Sequence, residues 1–227
     1  MPYSPANSIE KTQAILIIVC LAPLAWIFHG AIEGTLGDDP IETIQRWLGI
    51  WTFNFLLITL AVTPLRRLTG WHWLTRLRRL FGLVTFVHAT MHLLTWLMLD
   101  HRFDVHAIAA DVAKRPFIVA GFAAWLLMLP LAATSSNAMV RRLGGRKWQK
   151  LHSSVYAVAI IAAAHYLWQE IEEPTLALVY AALVAVLLGL RALWRQQERQ
   201  RQLDGVYGAP PAPPVKQSVV KFFPRRK

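Results

Sequence analysis

Eight histidines occur in the 227-residue chain, and five of them, His29, His88, His92, His152 and His165, fall inside stretches free of Lys, Arg, Asp and Glu. An ionisable side chain in such a stretch is costly to hold away from water and marks a functional candidate. Imidazole is also the strongest metal donor available. The single Cys20 excludes an internal disulfide, a CxxC zinc or iron–sulfur site and a CxxCH covalent haem attachment. Any metal must therefore be held by histidine or oxygen. His72, His101 and His106 lie between the charge-free stretches and are given no ligand role, and His29 reads as an interfacial residue beside Gly30.

The elements that carry these histidines follow from where the charges are missing. Six windows contain none: residues 12–32, 47–65, 80–99, 116–140, 151–169 and 174–190. Each is close to the ~20 residues a helix needs to cross a bilayer core. They are apolar nearly all round, so a soluble amphipathic bundle is disfavoured, and lipid admits only structures whose backbone bonds are internal. The expected fold is an all-α membrane protein, a six-transmembrane-helix bundle. The first window is read as an uncleaved helix, because five more spans follow and Pro23, Trp26 and Phe28 make a poor cleavage region.

The charges between windows set the expected orientation. They sum to 0 for residues 1–11, −3 for 33–46, +5 for 66–79, 0 for 100–115, +5 for 141–150, −3 for 170–173 and +7 for 191–227. That alternation places both termini and the basic loops in the cytoplasm. The net charge of +11 thus reports topology rather than nucleic acid. The domain reading is a cytoplasmic N-terminus over 1–11, a membrane domain over 12–190, and a basic, proline-rich flexible cytoplasmic tail over 191–227. Gly144-Gly145 sits in a basic turn and matches neither a GxGxxG fingerprint nor a P-loop, so no nucleotide-binding fold is expected.

Depth can be counted along two spans that both start at a basic loop. His92 lies 13 residues beyond Arg79, and His165 lies 15 residues beyond Lys150. At a rise of ~1.5 Å per residue both imidazoles sit ~20 Å in, at one level in the outer half of the membrane. Such a pair suits a bis-histidine haem. His152 is 13 residues before His165, so one haem cannot take both. It is either a ligand of a second, inner cofactor or a polar residue at the cytoplasmic boundary. Arg78 and Arg79 match its depth on the facing span and suit a propionate, a flavin phosphate or a lipid phosphate. His88, one turn before His92, could replace it or hydrogen-bond near the cofactor. Arg66, Arg78, Arg79, Arg141, Arg142, Arg146 and Lys147 make an inner basic surface for flavin phosphate or anionic lipid.

A series of motifs carries a family resemblance through nearly all of residues 12–195. It comprises Gly34-Thr35-Leu36-Gly37-Asp38-Asp39-Pro40, Thr63-Pro64-Leu65-Arg66, Arg76-Leu77-Arg78-Arg79-Leu80-Phe81-Gly82-Leu83, Ala89-Thr90-Met91-His92-Leu93 and Arg115-Pro116-Phe117. Thr134-Ser135-Ser136-Asn137-Ala138-Met139, Trp148-Gln149-Lys150-Leu151-His152-Ser153-Ser154-Val155-Tyr156 and His165-Tyr166-Leu167-Trp168 complete it. In this order the motifs resemble the MsrQ (YedZ) family of haem-binding membrane subunits, within the ferric-reductase-like transmembrane group. The resemblance implies a b-type haem protein of the bacterial inner membrane, with one or two haems and the family's histidines on His92, His152 and His165. It also implies a flavin mononucleotide cofactor and a periplasmic molybdopterin-containing partner that reduces methionine sulfoxide in proteins. Electrons would come from the quinone pool or a cytoplasmic flavin reductase.

The expected function is therefore that of an electron-transfer subunit of an oxidoreductase complex, not the subunit that reduces the sulfoxide. The competing readings are a six-span transporter or channel with a histidine proton or metal relay, a stand-alone ferric or oxygen reductase, and a non-redox assembly scaffold. The missing nucleotide-binding fold counts against the stand-alone reductase.

Overall fold

The computed structural model describes residues 5–207, with the side chains of 15–204. The proline-rich stretch from Ala209 to Pro214 lies outside the described residues. Among those described there is no strand. The helices are α1 (Pro5–Glu33), α2 (Pro40–Thr69), α3 (Leu74–Leu94), α4 (Val105–Lys114), α5 (Phe117–Ala133), α6 (Asn137–Leu143), α7 (Gly145–His152), α8 (Val155–Gln169) and α9 (Thr175–Tyr207). A π-helical turn, Thr95–Asp100, prolongs α3 directly after Leu94.

Local chemistry sets these boundaries. The α2 helix starts where Asp39 Oδ1 accepts the backbone N–H of Glu42 at 2.9 Å and Pro40 supplies a first residue that needs no N–H partner. It ends at Gly70, whose φ of 74° is the left-handed cap that glycine adopts without strain. Trp47 Nε1 donates to the Pro23 carbonyl at 2.8 Å and ties α2 to α1.

Five stretches are long and apolar enough to cross a membrane: Ile15–Glu33, Pro40–Thr69, Leu74–Asp100, Gly145–Gln169 and Thr175–Asp204. The count becomes six if α4 and α5, bent 111° from one another, are taken as one broken span. The α5 helix has 17 residues, none charged, the lower limit for a bilayer crossing of ~17–25 residues. The fourth window, 116–140, does not form one helix. Thr134 and Ser135 turn their hydroxyls back onto the carbonyls of Pro130 and Leu131, at 2.6 and 2.7 Å, and the Ser136 hydroxyl caps α6 by accepting from Met139 N–H. Hydroxyl side chains that serve the backbone end a helix without any charge. The loop expected over 100–115 likewise contains α4, capped by Asp104, whose Oδ1 accepts from His106 and Ala107.

The chain divides into a compact unit that runs to Leu190 and a second that begins at Arg191. In the first unit α2 packs along α3, and α5 along α8. Leu60, Val158 and Ala159 are fully enclosed, with Phe53, Leu56, Ala124 and Met128 around them. Outward-facing apolar side chains such as Ile18, Val119 and Ile160 remain 69%, 54% and 57% exposed. On a soluble domain such rows would be a liability, whereas helices in lipid associate by close packing and leave apolar faces outside. The protein is an all-α membrane protein. In the second unit, residues 191–204 are helical and rich in Arg and Gln.

Replacing Asp39 with Ala is expected to cost ~1 kcal/mol of stability, and replacing it with Ser much less, because only the alanine lacks a capping acceptor. Thermal unfolding in mild detergent checks the difference.

Candidate functional site

Four helices bring His92 and His165 face to face. Their ring centroids are 6.5 Å apart and the ring planes cross at 77°. Each ring is pinned by a neighbouring helix rather than its own. His92, on α3, bonds through Nδ1 to the Gln45 carbonyl of α2 at 3.0 Å, and His165, on α8, to the Phe117 carbonyl of α5 at 2.8 Å. A carbonyl can only accept, so each Nδ1 carries the proton and each Nε2 keeps its lone pair.

Both rings line one cavity of ≈ 650 Å³, walled by apolar side chains that include Ile50, Phe53, Leu93, Trp125 and Ala162. Its rim is polar, with Asp39, Glu42, Gln45, Arg46, Asp100, Arg115 and Glu170. Two metal–nitrogen bonds of ~2.0 Å across a single ion put the ring centres ~6 Å apart, which agrees with the observed separation. Gln45 Nε2 is buried with no acceptor among the described residues, a donor available to an anionic group at the rim. A haem, with two imidazole nitrogens on iron, an apolar macrocycle and acidic propionates, fits this donor set and lining.

His152 and His88 behave differently. Each bonds through Nδ1 to the carbonyl four residues back in its own chain, Trp148 at 3.2 Å and Val84 at 3.0 Å. Each leaves a buried Nε2 without a partner among the described residues. His152 stacks on Trp148, centroids 3.8 Å apart, and lines a second cavity of ≈ 650 Å³ with Arg76, Arg78, Arg79, Asn137 and Trp148. Arg78 and Arg79 thus share the cavity of His152 and do not line that of His92 and His165. Arg79 is held there by Asn137, whose Oδ1 accepts from Nη2 at 2.6 Å.

His88 lies in neither cavity. It packs on Phe55 of α2, centroids 4.8 Å apart, and is fully buried. Four residues advance a helix by about 400°, so His88 is offset ~40° from His92, one turn away along α3. His29, His72 and His106 are exposed.

The sequence reading missed the residues that support the pair. Gly49 and Gly121 lie against the His92 and His165 rings, and Gln45 and Phe117 act through backbone carbonyls that no residue type advertises. It also missed the outer rim. There Asp111 of α4 accepts from Trp96 Nε1 at 3.0 Å, from His101 Nε2 at 2.9 Å and from the Arg115 guanidinium. Arg115 also faces Asp100 at 3.9 Å, and Arg46 bridges Glu42 at 3.2 Å and Glu170 at 3.4 Å. Clustered opposite charges over 100–115 were the one available signal.

Comparison with known proteins gives the family of the chain. Residues 46–163, more than half the chain and containing His92 and His152, match the family described as ferric reductase like transmembrane component. A relative from Azospira oryzae, named protein-methionine-sulfoxide reductase heme-binding subunit MsrQ, is 49% identical over 97% of this chain and 93% of its own length. Proteins of the same name from Ralstonia nicotianae and Xanthomonas euvesicatoria are 49% and 40% identical, covering 84% and 92% of this chain and 88% and 98% of theirs. The chain belongs to the MsrQ family.

For a member of that family the rim network has a pH signature. Burial pushes the Asp111 carboxyl up, but the hydrogen bonds from Arg115, Trp96 and His101 outweigh it and hold the pKa at about 2. A pKa depressed in the fold stabilises it fully above the ordinary carboxylate value of about 4, and the contribution fades as pH falls below that. Asp111→Asn is expected to melt below wild type at pH 7, with the gap narrowing progressively under about pH 4; thermal unfolding across pH measures it.

Proposed function

We propose that this protein is the haem b electron-transfer subunit of a bacterial protein-methionine-sulfoxide reductase system. Electrons enter from the quinone pool or a cytoplasmic flavin reductase and cross the inner membrane. They leave to a periplasmic molybdopterin-containing reductase, which performs the sulfoxide chemistry. The observation that carries the reading is the pair of crossed imidazoles, 6.5 Å apart, each with Nδ1 occupied by another helix. The basic segments 66–79 and 141–150, against acidic ones at 33–46 and 170–173, favour cytoplasmic termini and an outer-leaflet position for the pair.

Haem supplies a one-electron carrier whose potential the protein tunes. His92 and His165 would hold the iron through Nε2. The Gln45 and Phe117 carbonyls hold the proton on Nδ1 and so strengthen each ring as a donor. Phe53, Trp125, Ala162 and Leu93 exclude water. Gln45 Nε2, Arg46 and Arg115, which line the same cavity, would hold the propionates.

The second cavity supports a second cofactor, since one group in the outer half leaves much of a ~30 Å core unbridged. Leu56, Thr85, Met128 and Val158 line both cavities, so one layer of side chains separates them. The inner cavity takes flavin mononucleotide, its phosphate held by Arg78 and Arg79, or a second haem ligated by His152. The chain's domains are then the membrane body over 12–190 and a cytoplasmic tail over 191–227.

His92→Ala and His165→Ala are each expected to lose most of the haem while His88→Ala keeps it, as read from the Soret and reduced α-band absorbance per protein. A colourless wild type from porphyrin-replete cells would overturn the reading and favour a transporter. Arg78→Gln combined with Arg79→Gln is expected to lower the flavin recovered after gentle extraction severalfold. Unchanged flavin would place it elsewhere and leave those arginines to lipid.

A further inference from the structure

The two ligand-bearing helices are served by the same device, repeated on two other helices. In an α-helix the carbonyl of residue i accepts from the N–H of residue i+4. The carbonyls that also accept from the imidazoles belong to Gln45 and Phe117, and the residues four positions on are Gly49 and Gly121. At both places a ring edge enters the helix flank beside a missing side chain. A Cβ on Gly49 would lie 3.3 Å from His92 Cε1 and 3.5 Å from Nδ1. A Cβ on Gly121 would lie 2.8, 3.0 and 3.2 Å from Cε1, Nδ1 and Nε2 of His165. Those atoms form the edge that bonds the carbonyl and faces the cavity.

We infer that Gly49 and Gly121 are positioning residues: paired notches that let each imidazole reach a carbonyl of the neighbouring helix and so lock the two rings nearly at right angles. The inference rests on the haem reading above. Glycine inside a helix is a poor helix former, and both glycines occupy helix interiors where alanine would serve the backbone better. At both positions the nearest atoms a Cβ would meet are those of the approaching ring. The His165 ring cannot retreat from a Cβ at Gly121 without lengthening its 2.8 Å bond to Phe117. At Gly49 a shift of a few tenths of an ångström suffices, so the two notches differ in strictness. Losing the Nδ1–H···O=C bond weakens the ring as a donor, which favours ferrous iron, and frees it to turn.

The test compares wild type, Gly49→Ala, Gly121→Ala and Gly189→Ala, the last at a helical glycine on α9 where a Cβ meets nothing within 4 Å. Three quantities are read on the purified full chain: haem per protein, the low-temperature ferric EPR spectrum and the midpoint potential. Crossed imidazoles give wild type a strongly anisotropic low-spin signal. Gly189→Ala is expected to match it. Gly49→Ala is expected to keep haem with an altered EPR signal and a raised potential, and Gly121→Ala to hold haem roughly tenfold or more less tightly. Wild-type spectra and potentials in both Gly49→Ala and Gly121→Ala would overturn the inference. If Gly121→Ala does not accumulate in membranes, Gly49→Ala decides alone, and an unmoved signal there overturns it. A wild type without haem defeats the functional reading instead, whatever the variants do.

Discussion

A buried imidazole has two nitrogens to satisfy, and which helix satisfies the first decides what the second can do. His88 and His152 each spend Nδ1 on a carbonyl of their own helical turn. Neither Nδ1 therefore ties its helix to another. His92 and His165 reach across to α2 and α5. Those two bonds tie α3 to α2 and α8 to α5, helices that pack along one another, and leave an Nε2 from each side facing the same space. In lipid there is no water to replace a lost partner, so such cross-helix bonds set ring orientation as well as satisfying polarity.

Around this centre the polar groups are sorted by depth. The cavity wall is apolar, and its charges are confined to the rim, where every arginine faces carboxylates: Arg46 between Glu42 and Glu170, Arg115 between Asp100 and Asp111. The π-helical turn after His92 carries Trp96 and Asp100, and Trp96 joins the Asp111 network through its indole N–H. A wider turn at the end of the helix that carries His92 thus couples that helix to α4 and to the start of α5, the helix that pins the opposite imidazole. Both histidines are braced from a single network.

The second cavity repeats the volume of the first with a different chemistry: three arginines, one histidine stacked on an indole, and an asparagine. That asymmetry separates the two: the first presents two imidazoles from different helices, and the second gathers cationic side chains beside a stacked histidine. Leu56, Thr85, Met128 and Val158, one from each of four helices, form the layer between them.

Much of this was legible in the chain. The charge gaps gave away the membrane helices because a bilayer core excludes ions irrespective of how the helices pack. The matched depth of His92 and His165 followed from a fixed rise per residue counted from basic loops. Where the reading fell short, distance along the chain was silent about direction: the broken fourth window turned on hydroxyls at Thr134, Ser135 and Ser136, and His88 shared a helix with His92 but faced Phe55. The notches at Gly49 and Gly121 had no signature, since glycine serves many ends in membrane helices. Composition and periodicity thus determined an all-helical membrane chain with histidines at two depths. Only the tertiary structure decided which imidazoles meet, because that depends on carbonyls and gaps contributed by helices far away in sequence.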